Sequence, residues 1–286
     1  MHPTVSYGCS MELSNHPLAD RDTLFSVSGR IAVVTGGSRG IGAMIARGLV
    51  ADGAEVIITS RKAESCRATA HQINSDAEAL GSSGRCSYIS ADLSTPTGVD
   101  HLVSSVKDRH EHIDILVNNA GTTWGAPLED YPIVGWSKVV NTNLISPFGV
   151  IVGLLPLLRT GARPERPARI INIGSVDGLV APRWENYSYS ASKAGLHMLT
   201  RHLAGRLASD SVTVNAIAPG PFLTDMLSHV AADPARENEL LNTVPLGRYG
   251  QPDDIVGAVR FLSSTAGAFV TAAVLPVDGG FSGATT

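Results

Sequence analysis

Residues 31–42 read IAVVTGGSRGIG, a short apolar run followed by glycines at positions 36, 40 and 42. The apolar run predicts a buried strand and the residues after it predict a helix, so the glycines lie in a strand-to-helix turn. Glycine in such a turn permits a tight bend and a close approach of backbone to a pyrophosphate, which the first N–H groups of the helix can bind. The stretch therefore predicts a dinucleotide site; the alternative is a tight turn with no ligand.

Similar apolar, β-branched runs recur along the chain and alternate with Ala- and Leu-rich stretches of helical length, such as 43–50 and 196–207. Runs that are apolar throughout fit strands covered on both faces, and the alternation predicts a parallel sheet with helices on both sides. We predict a single doubly wound α/β Rossmann domain over residues 29–286. Its seven strands are expected at 31–35, 55–59, 86–90, 113–117, 169–173, 212–217 and 274–277.

Two segments fall outside this alternation. Residues 1–28 are polar and lack the apolar core of a secretory signal, so we expect a flexible leader in front of the domain. Residues 221–250 form a long connection rich in Pro and Gly between the last two strands. Because long connections in compact domains are usually functional, this segment predicts a substrate lid.

Composition excludes several function classes. The chain has 286 residues, enough to bury a core, and its 22 basic and 26 acidic residues give a net charge of -4. That balance argues against a general nucleic-acid or anionic-membrane binder, and no apolar stretch approaches the roughly 20 residues of a membrane span. Cys9, Cys66 and Cys86 form no CxxC pair, so we expect neither disulfides nor a metal site. These features predict a cytoplasmic protein.

The choice between NAD and NADP depends on charge at the end of the second strand. An NAD-selective site usually has an acidic residue there, which binds the ribose 2′-hydroxyl. This sequence has Ser60 and Arg61 instead, and Arg39 lies within the glycine turn. Two guanidinium groups can pair with a 2′-phosphate, so the residues predict NADP(H); the alternative is that both arginines are solvated surface charges.

The TGxxxGxG spacing at 35–42 resembles the short-chain dehydrogenase/reductase family. Two later motifs strengthen the resemblance: NNAG at 118–121, and PG at 219–220 followed by a threonine. The resemblance extends over residues 29–286, including VDGG at 277–280. With the charge argument, it implies a set of cofactor-binding residues: Gly36, Ser38, Arg39, Gly40, Ile41, Gly42, Ser60, Arg61, Asp92, Leu93, Asn119, Ala120, Gly121, Tyr189, Lys193, Pro219, Gly220 and Thr224.

The candidate proton donor is Tyr189, which forms a YxxxK pair with Lys193. Residues four apart share one helical face, so the ammonium can lie near the phenol and favour its ionised form, lowering a pKa that is ordinarily about 10. Tyr187 is a nearby alternative, but it has no lysine four residues later.

The family resemblance implies two further catalytic residues. Ser175, just beyond the predicted fifth strand, is expected to bind the carbonyl oxygen of the substrate. Asn143 matches the family's asparagine that holds a water beside the lysine, and Asn141 is the alternative two residues earlier. The implied reaction is reduction of a ketone with Tyr189 as the general acid.

A narrower resemblance involves residues 113–127, 174–176 and 265–267, which are similar to the 3-oxoacyl reductases associated with rhamnolipid synthesis. It implies NADPH-dependent reduction of a 3-oxoacyl thioester, an acyl-carrier protein as a partner, and a homotetramer. Four arginines are candidates for receiving the acidic carrier (Arg159, Arg163, Arg166, Arg201), and Trp124 and Trp184 are candidates for an apolar substrate wall. Two alternatives remain: an oxidoreductase acting on a polyol, steroid-like ring or xenobiotic, and an NADP-binding sensor without turnover.

Overall fold

The computed structural model describes residues 21–284 and confirms the predicted fold class. Seven strands form one sheet in the order β3-β2-β1-β4-β5-β6-β7, and every neighbouring pair is parallel. The strands are β1 (Ile31–Thr35), β2 (Glu55–Ser60), β3 (Arg85–Ser90), β4 (Ile115–Asn118), β5 (Ala168–Ile173), β6 (Val212–Pro219) and β7 (Val274–Val277).

Helices cover both faces of this sheet. They are α1 (Arg21–Leu24), α2 (Gly40–Ala51), α3 (Ala63–Ala79), α4 (Pro96–Lys107), α5 (Ile133–Val140), α6 (Ser146–Gly161), α7 (Tyr187–Leu207), α8 (Ser228–Ala231), α9 (Pro234–Asn242) and α10 (Pro252–Ser263). On one face, Ile45 of α2, Ile73 of α3 and Val259 of α10 are buried in the core. On the other face, residues of α4, α6 and α7 pack against the sheet. The buried strands β1, β2, β4, β5 and β6 lie between these two cores, as their apolar sequences predict.

The edge strand β7 differs from the expectation of strands covered on both faces. Its residues are only partly buried, because it pairs with β6 alone and its other edge is unpaired among the described residues. The predicted leader also differs in part. Residues 1–20 lie outside the described residues, but α1 is helical and Val27 is fully buried, with its N–H donating to Asp52.

The helices α5 and α6 are parts of one helix that is longer than expected. A π-helical turn at Asn141–Ile145 links them into one continuous helix, Ile133–Gly161, which is long and apolar enough to cross a membrane by length and composition, with a mean hydropathy of 1.6. The expectation that no stretch approaches this length was wrong, because polar residues at 141–143 interrupt the apolar run without ending the helix. Its inner residues Val150, Leu154 and Leu158 are buried in the domain core, so we interpret it as a core helix.

The sheet order creates the position for a site. The chain leaves β1 toward β2 on one side, and later returns to place β4 on the other side of β1. In such sheets the loops after the two diverging strands separate and leave a crevice at the carboxyl ends of the strands, where ligands bind. The glycine turn after β1 and the loop after β4 both lie at this crevice.

Candidate active site

The glycine turn is held in place by the loop after β4. Gly36 has φ +66°, a conformation that favours glycine, and a Cβ there would lie 2.9 Å from the backbone of Ala120. The Asn119 amide donates to the Thr35 carbonyl at 2.9 Å and to the Gly36 carbonyl at 3.2 Å. The Thr35 hydroxyl accepts hydrogen bonds from the N–H groups of Asn119 and Ala120, each at 2.9 Å. Side chains from both strands therefore fix the shape of this turn.

The residues of the turn fit a dinucleotide phosphate group. A Cβ at Gly42 would collide with the Gly36 carbonyl, so only glycine lets α2 pack this closely against the turn. Gly40 begins α2 with φ +53°, and no side chain caps the first N–H groups of this helix. Free N–H groups at a helix N-terminus bind phosphate, aided by the helix dipole. The side chain of Thr224, from the predicted lid, lies beside Gly40.

The predicted 2′-phosphate residues line the same cavity. Ser60 ends β2, and Arg61 follows it with an exposed side chain. Burial acts to raise the pKa of Asp92, but hydrogen bonds from Ser94, and then the nearby charge of Arg61, hold that pKa below its usual value. Arg39 pairs with Asp225 of the lid segment at 2.8 Å, and both side chains are about 70% exposed. The end of β2 therefore carries positive charge where an NAD-selective site carries a carboxylate.

One cavity of about 770 Å³ joins the nucleotide residues to the candidate catalytic residues. It extends from the glycine turn and the end of β2 to the loop after β5 and the start of α7. Its lining includes seventeen of the eighteen predicted cofactor residues: Gly36, Ser38, Arg39, Gly40, Ile41, Ser60, Arg61, Asp92, Leu93, Asn119, Ala120, Gly121, Tyr189, Lys193, Pro219, Gly220 and Thr224. Gly42 lies behind the turn, where it permits the packing described above.

Ser175, Tyr189 and Lys193 meet at the far end of this cavity. Ser175 follows β5 and is 7% exposed, and its hydroxyl hydrogen-bonds the Tyr189 phenol. Lys193, one turn after Tyr189 on α7, is 4% exposed. Its ammonium lies 5.5 Å from the centre of the Tyr189 ring and donates to the Ile173 carbonyl at 2.8 Å. Tyr187 is directed away from this group, and its hydroxyl faces Glu185 at 3.5 Å.

The structure brings Asn143, and not Asn141, beside the lysine. Asn143 is 1% exposed, and its amide donates to the Thr122 carbonyl at 2.9 Å and to the Ser192 hydroxyl at 3.0 Å. A Cβ built on Gly121 would lie 3.4 Å from the Asn143 oxygen and 3.6 Å from the Lys193 ammonium, so these two groups border one space. Asn141 is exposed at the start of the π-helical turn. Asn143 lies within this π turn, which presents it to α7. Such turns often occur at functional sites.

The ionisation of the pair differs from the sequence expectation. Burial raises the pKa of Tyr189 to about 12, with a further rise from Asp177 and an opposing effect of the Ser175 hydrogen bond. Burial also lowers the pKa of Lys193 to about 8. The phenol pKa is therefore raised in this structure and not lowered as the sequence predicted, because burial disfavours the charged phenolate. A phenol that stays protonated is suited to donate a proton.

Sequence reasoning missed several residues that support this site. Asp177 and Asn186 line the cavity and are joined by a hydrogen bond of 2.9 Å. His197, one turn beyond Lys193, is 2% exposed, and its Nδ1 contacts the Gly178 carbonyl at 3.3 Å. Burial lowers the pKa of His197 to about 4, so the ring is neutral. Asp177 lies two residues after Ser175, and this spacing was a signal in the sequence that it borders the site. The places of Asn186 and His197 depend on tertiary packing.

The four arginines expected at the substrate entrance lie elsewhere. None of them lines the cavity. Arg159 pairs with Asp210 at 2.6 Å, and Arg166 pairs at 3.4 Å with Asp114, which precedes β4. Residues that precede parallel strands lie at the edge opposite the carboxyl ends, so Arg159, Arg163 and Arg166 are at the wrong edge of the sheet. Arg201 is roughly 18 Å along α7 from Tyr189 by helical rise. The expectation of a basic entrance formed by these residues was wrong.

The two tryptophans have different positions. Trp184 lines the cavity and is 50% exposed. Trp124 packs against Gly135 instead, and the Lys138 ammonium lies 5.6 Å from the centre of its ring. Trp184 alone of this pair therefore borders the candidate substrate space. Among the described residues, no group of three or more His, Cys, Asp or Glu side chains is placed to hold a metal ion.

The chain is similar to known proteins along nearly its whole length. The family model described as enoyl-(acyl carrier protein) reductase matches residues 36–282. The rhamnolipids biosynthesis 3-oxoacyl-[acyl-carrier-protein] reductase of Pseudomonas aeruginosa is 48% identical over 90% of this chain and 98% of its own length. Gluconate 5-dehydrogenase of Gluconobacter oxydans is 37% identical over 90% of this chain and 96% of its own. The solved RhlG/NADP active-site complex of Pseudomonas aeruginosa superposes with a TM-score of 0.86, at 48% identity, over 91% of this chain and 98% of that one.

Proposed function

Because this chain belongs to the short-chain dehydrogenase/reductase family, we propose that it reduces the ketone of a 3-oxoacyl thioester to a secondary alcohol with NADPH. The observation that carries the proposal is the shared cavity, in which the glycine turn lies at one end and Ser175, Tyr189 and Lys193 at the other. The similarity to a 3-oxoacyl-[acyl-carrier-protein] reductase over nearly its full length supports the substrate class.

The proposed residue roles follow from the contacts. NADPH, when bound, supplies the hydride. Ser175 donates a hydrogen bond to the substrate oxygen and, because its hydroxyl lies next to the Tyr189 phenol, holds that oxygen beside the phenol. Tyr189 then transfers its proton to the same oxygen as the general acid. Lys193 and Asn143 border the space beneath the phenol, and the ammonium stabilises the phenolate that forms.

The preference for NADPH over NADH rests on the end of β2. Ser60 and Arg61 occupy the position where a carboxylate would select the unphosphorylated ribose, and Arg39, in the glycine turn, lines the same cavity. A 2′-phosphate there accepts charge-assisted hydrogen bonds from both guanidinium groups.

An acyl chain and its carrier fit the mouth of the cavity. Trp184 and Met226 line it, and nearby Leu223 is more than half exposed, so an extended apolar chain has apolar surface to cover. Lys138 lines the cavity with an exposed side chain, and Arg183 is exposed next to Trp184. We propose that Lys138 and Arg183, and not the four arginines expected from the sequence, contact the acidic acyl-carrier protein.

We further propose a homotetramer in the cytoplasm. Two separate surfaces carry unpaired apolar groups: Phe148 and Val152 are about half exposed on α6, and Phe269 is fully exposed near the free edge of β7. Two such surfaces on one chain allow two kinds of self-contact, which builds a tetramer with closed symmetry. Cys66 and Cys86 are both free, as expected in a reducing compartment. Sedimentation equilibrium tests the assembly: a tetramer mass is expected, and a monomer at micromolar concentration contradicts it.

A sugar-acid dehydrogenase is the second candidate, because gluconate 5-dehydrogenase of Gluconobacter oxydans matches this chain along nearly its whole length. The two candidates share the catalytic residues, so the substrate decides between them. We would follow NADPH oxidation with 3-oxoacyl N-acetylcysteamine thioesters of increasing length, 5-ketogluconate and cyclic ketones, and NADP⁺ reduction with gluconate. The proposal expects the highest kcat/KM with a thioester. A higher value with gluconate or 5-ketogluconate selects the second candidate, and no turnover on any substrate supports a sensor.

A further inference from the structure

One acidic residue borders the reacting centre, and the proposed chemistry does not use it. Asp177 lies in a single 3-10 turn, Val176–Gly178, directly after Ser175. Its N–H donates to the Ser175 hydroxyl oxygen at 3.1 Å, and its carboxylate accepts a hydrogen bond from Asn186 at 2.9 Å. Asn186 in turn is the residue before α7. The Asp177 carboxylate is thus held between the serine loop and the start of the helix that carries Tyr189.

The other acidic residues of the cavity wall are at its nucleotide end. Among the described residues, the cavity lining includes Asp92, Asp177 and Asp225. Asp92 follows β3 and lies near Arg61, and Asp225 pairs with Arg39. Asp177 alone of these three borders Ser175 and Tyr189, so it is the acidic group nearest to the place where a substrate's groups next to the carbonyl must lie.

Among the described residues, neither lysine of the cavity lining forms an ion pair with the Asp177 carboxylate. Lys193 is near enough to act on Asp177, but its ammonium is directed at the Ile173 carbonyl and it is buried beneath the phenol. Lys138 is exposed and lies over the Trp124 ring. Burial also raises the pKa of Asp177, while the Asn186 hydrogen bond and Lys193 lower it, so this carboxylate is already poorly solvated.

A ligand with a carboxylate beside its carbonyl would place a second negative charge in this poorly solvated space. Two carboxylates in one site cannot both remain ionised without a large loss of binding, since like charges interact strongly where water is excluded. A thioester at the same position is neutral and has no such interaction. The wall at Asp177 therefore separates two kinds of ligand that are otherwise similar in shape.

We propose that Asp177 is a specificity-determining residue that excludes ligands with a free carboxylate next to the reacting carbonyl and admits neutral thioesters and esters. The inference rests on the proposed function and deepens it, because it disfavours free 3-oxo acids, in which one CH2 group separates the carboxylate from the ketone, as substrates of this site. Specificity of this kind comes from a repulsive group that acts against the wrong ligand.

A matched pair of ketones tests the proposal. Methyl 3-oxohexanoate and 3-oxohexanoate differ at the charged group, and kcat/KM for each is measured by NADPH oxidation. The wild-type enzyme is expected to favour the ester, and Asp177→Asn, which keeps the hydrogen bond to Asn186, is expected to raise the acid-to-ester ratio by about tenfold or more. Asp177→Ser gives the same comparison with a smaller neutral side chain. Glu185→Gln removes an exposed charge from the same loop without touching the cavity lining, and should leave the ratio within about twofold.

A binding measurement keeps the test independent of turnover. Calorimetric titration of the enzyme–NADP⁺ complex with hexanoate and with hexanamide compares a charged and a neutral ligand of equal length. Asp177→Asn is expected to tighten hexanoate binding relative to hexanamide by about tenfold. An unchanged ratio in both experiments overturns the role of Asp177, even where the thioester is reduced well. Failure to reduce any 3-oxo compound overturns the proposed function, while the binding ratio still decides the role of Asp177.

Discussion

The ammonium of Lys193 lies 5.5 Å from the centre of the Tyr189 ring, close enough to compensate a phenolate but without a direct bond to the phenol oxygen in the contacts described. Its nearest acceptor is the Ile173 carbonyl at the end of β5. The lysine is thus anchored to the sheet, and the position of its charge is set by the backbone of a central strand. The phenol can lose a proton without movement of the group that stabilises its charge.

Replacement of Tyr189 by phenylalanine should abolish turnover while the fold is kept. The ring fills the same volume, so we expect kcat to fall by at least about 10³-fold through loss of the transferable proton. Stopped-flow or steady-state NADPH oxidation measures the change. Tyr187→Phe is the control, because that hydroxyl faces Glu185 outside the reacting group. Comparable losses in both variants, or full activity of folded Tyr189→Phe, would remove Tyr189 from the proposed role.

Reduction should depend on the charge of Lys193. Burial raises the pKa of Tyr189 to about 12, so the phenol is protonated across the working range and does not limit proton donation. Burial lowers the pKa of Lys193 to about 8, so its ammonium loses charge as the pH rises through that value. We expect kcat/KM for ketone reduction to be flat below pH 8 and to fall above it. In Lys193→Met the profile should be low and lack this step; an unchanged step would assign it to another group.

Arg61 should contribute more than Arg39 to the selection of NADPH. Arg39 forms an ion pair with Asp225 in this structure, whereas no ion pair is found for Arg61 among the described residues. Arg61→Ala is expected to lower kcat/KM for NADPH by about tenfold to a hundredfold and to leave NADH nearly unchanged, since only the phosphate contact is removed. Asp225→Asn should increase the preference for NADPH by releasing Arg39. A parallel loss with both cofactors in Arg61→Ala would instead indicate a structural role.

Two glycine-to-alanine substitutions should have different effects, one on cofactor affinity and the other on stability. A Cβ at Gly42 collides with the Gly36 carbonyl, so Gly42→Ala should open the turn and lower NADPH affinity by at least about tenfold. Gly205 lies on α7, where an added Cβ would meet no atom within 4 Å apart from the backbone of its own helix, so Gly205→Ala should raise the free energy of unfolding by about 0.5–1 kcal/mol. Cofactor titration and urea unfolding measure the two effects. Normal NADPH binding by Gly42→Ala would contradict the assigned packing.

Carrier recognition should depend on Lys138 and Arg183. Long-range attraction to an acidic carrier raises association rates and weakens with salt. At low ionic strength, Lys138→Gln with Arg183→Gln is expected to lower kcat/KM for a carrier-bound 3-oxoacyl substrate by about tenfold, and to affect an N-acetylcysteamine thioester far less. Arg163→Gln with Arg201→Gln removes two cations away from the cavity and is the matched control. Equal effects of the two double variants would contradict the assigned entrance.

The sheet was predictable because its strands are apolar over their whole length. The limits of β1 and β7 agree with the sequence, but β4 begins at Ile115, two residues later than predicted. At the residue before β4, the Asp114 carboxylate accepts a hydrogen bond from the Ile31 N–H, and no local pattern encodes this bond. The glycine turn and the YxxxK pair are local motifs and were visible. The entrance cations and the ionisation of Tyr189 depend on which groups tertiary packing brings together or buries.

The bonds from Asn119 to the glycine turn join residues that are 84 positions apart in the chain. The phosphate-binding turn is therefore complete only when β4 is docked beside β1, a contact that closes a long loop of the chain. A cofactor that binds only this docked state stabilises it by mass action. Either form of the cofactor should therefore protect the folded chain from proteolysis in proportion to the occupancy of this site.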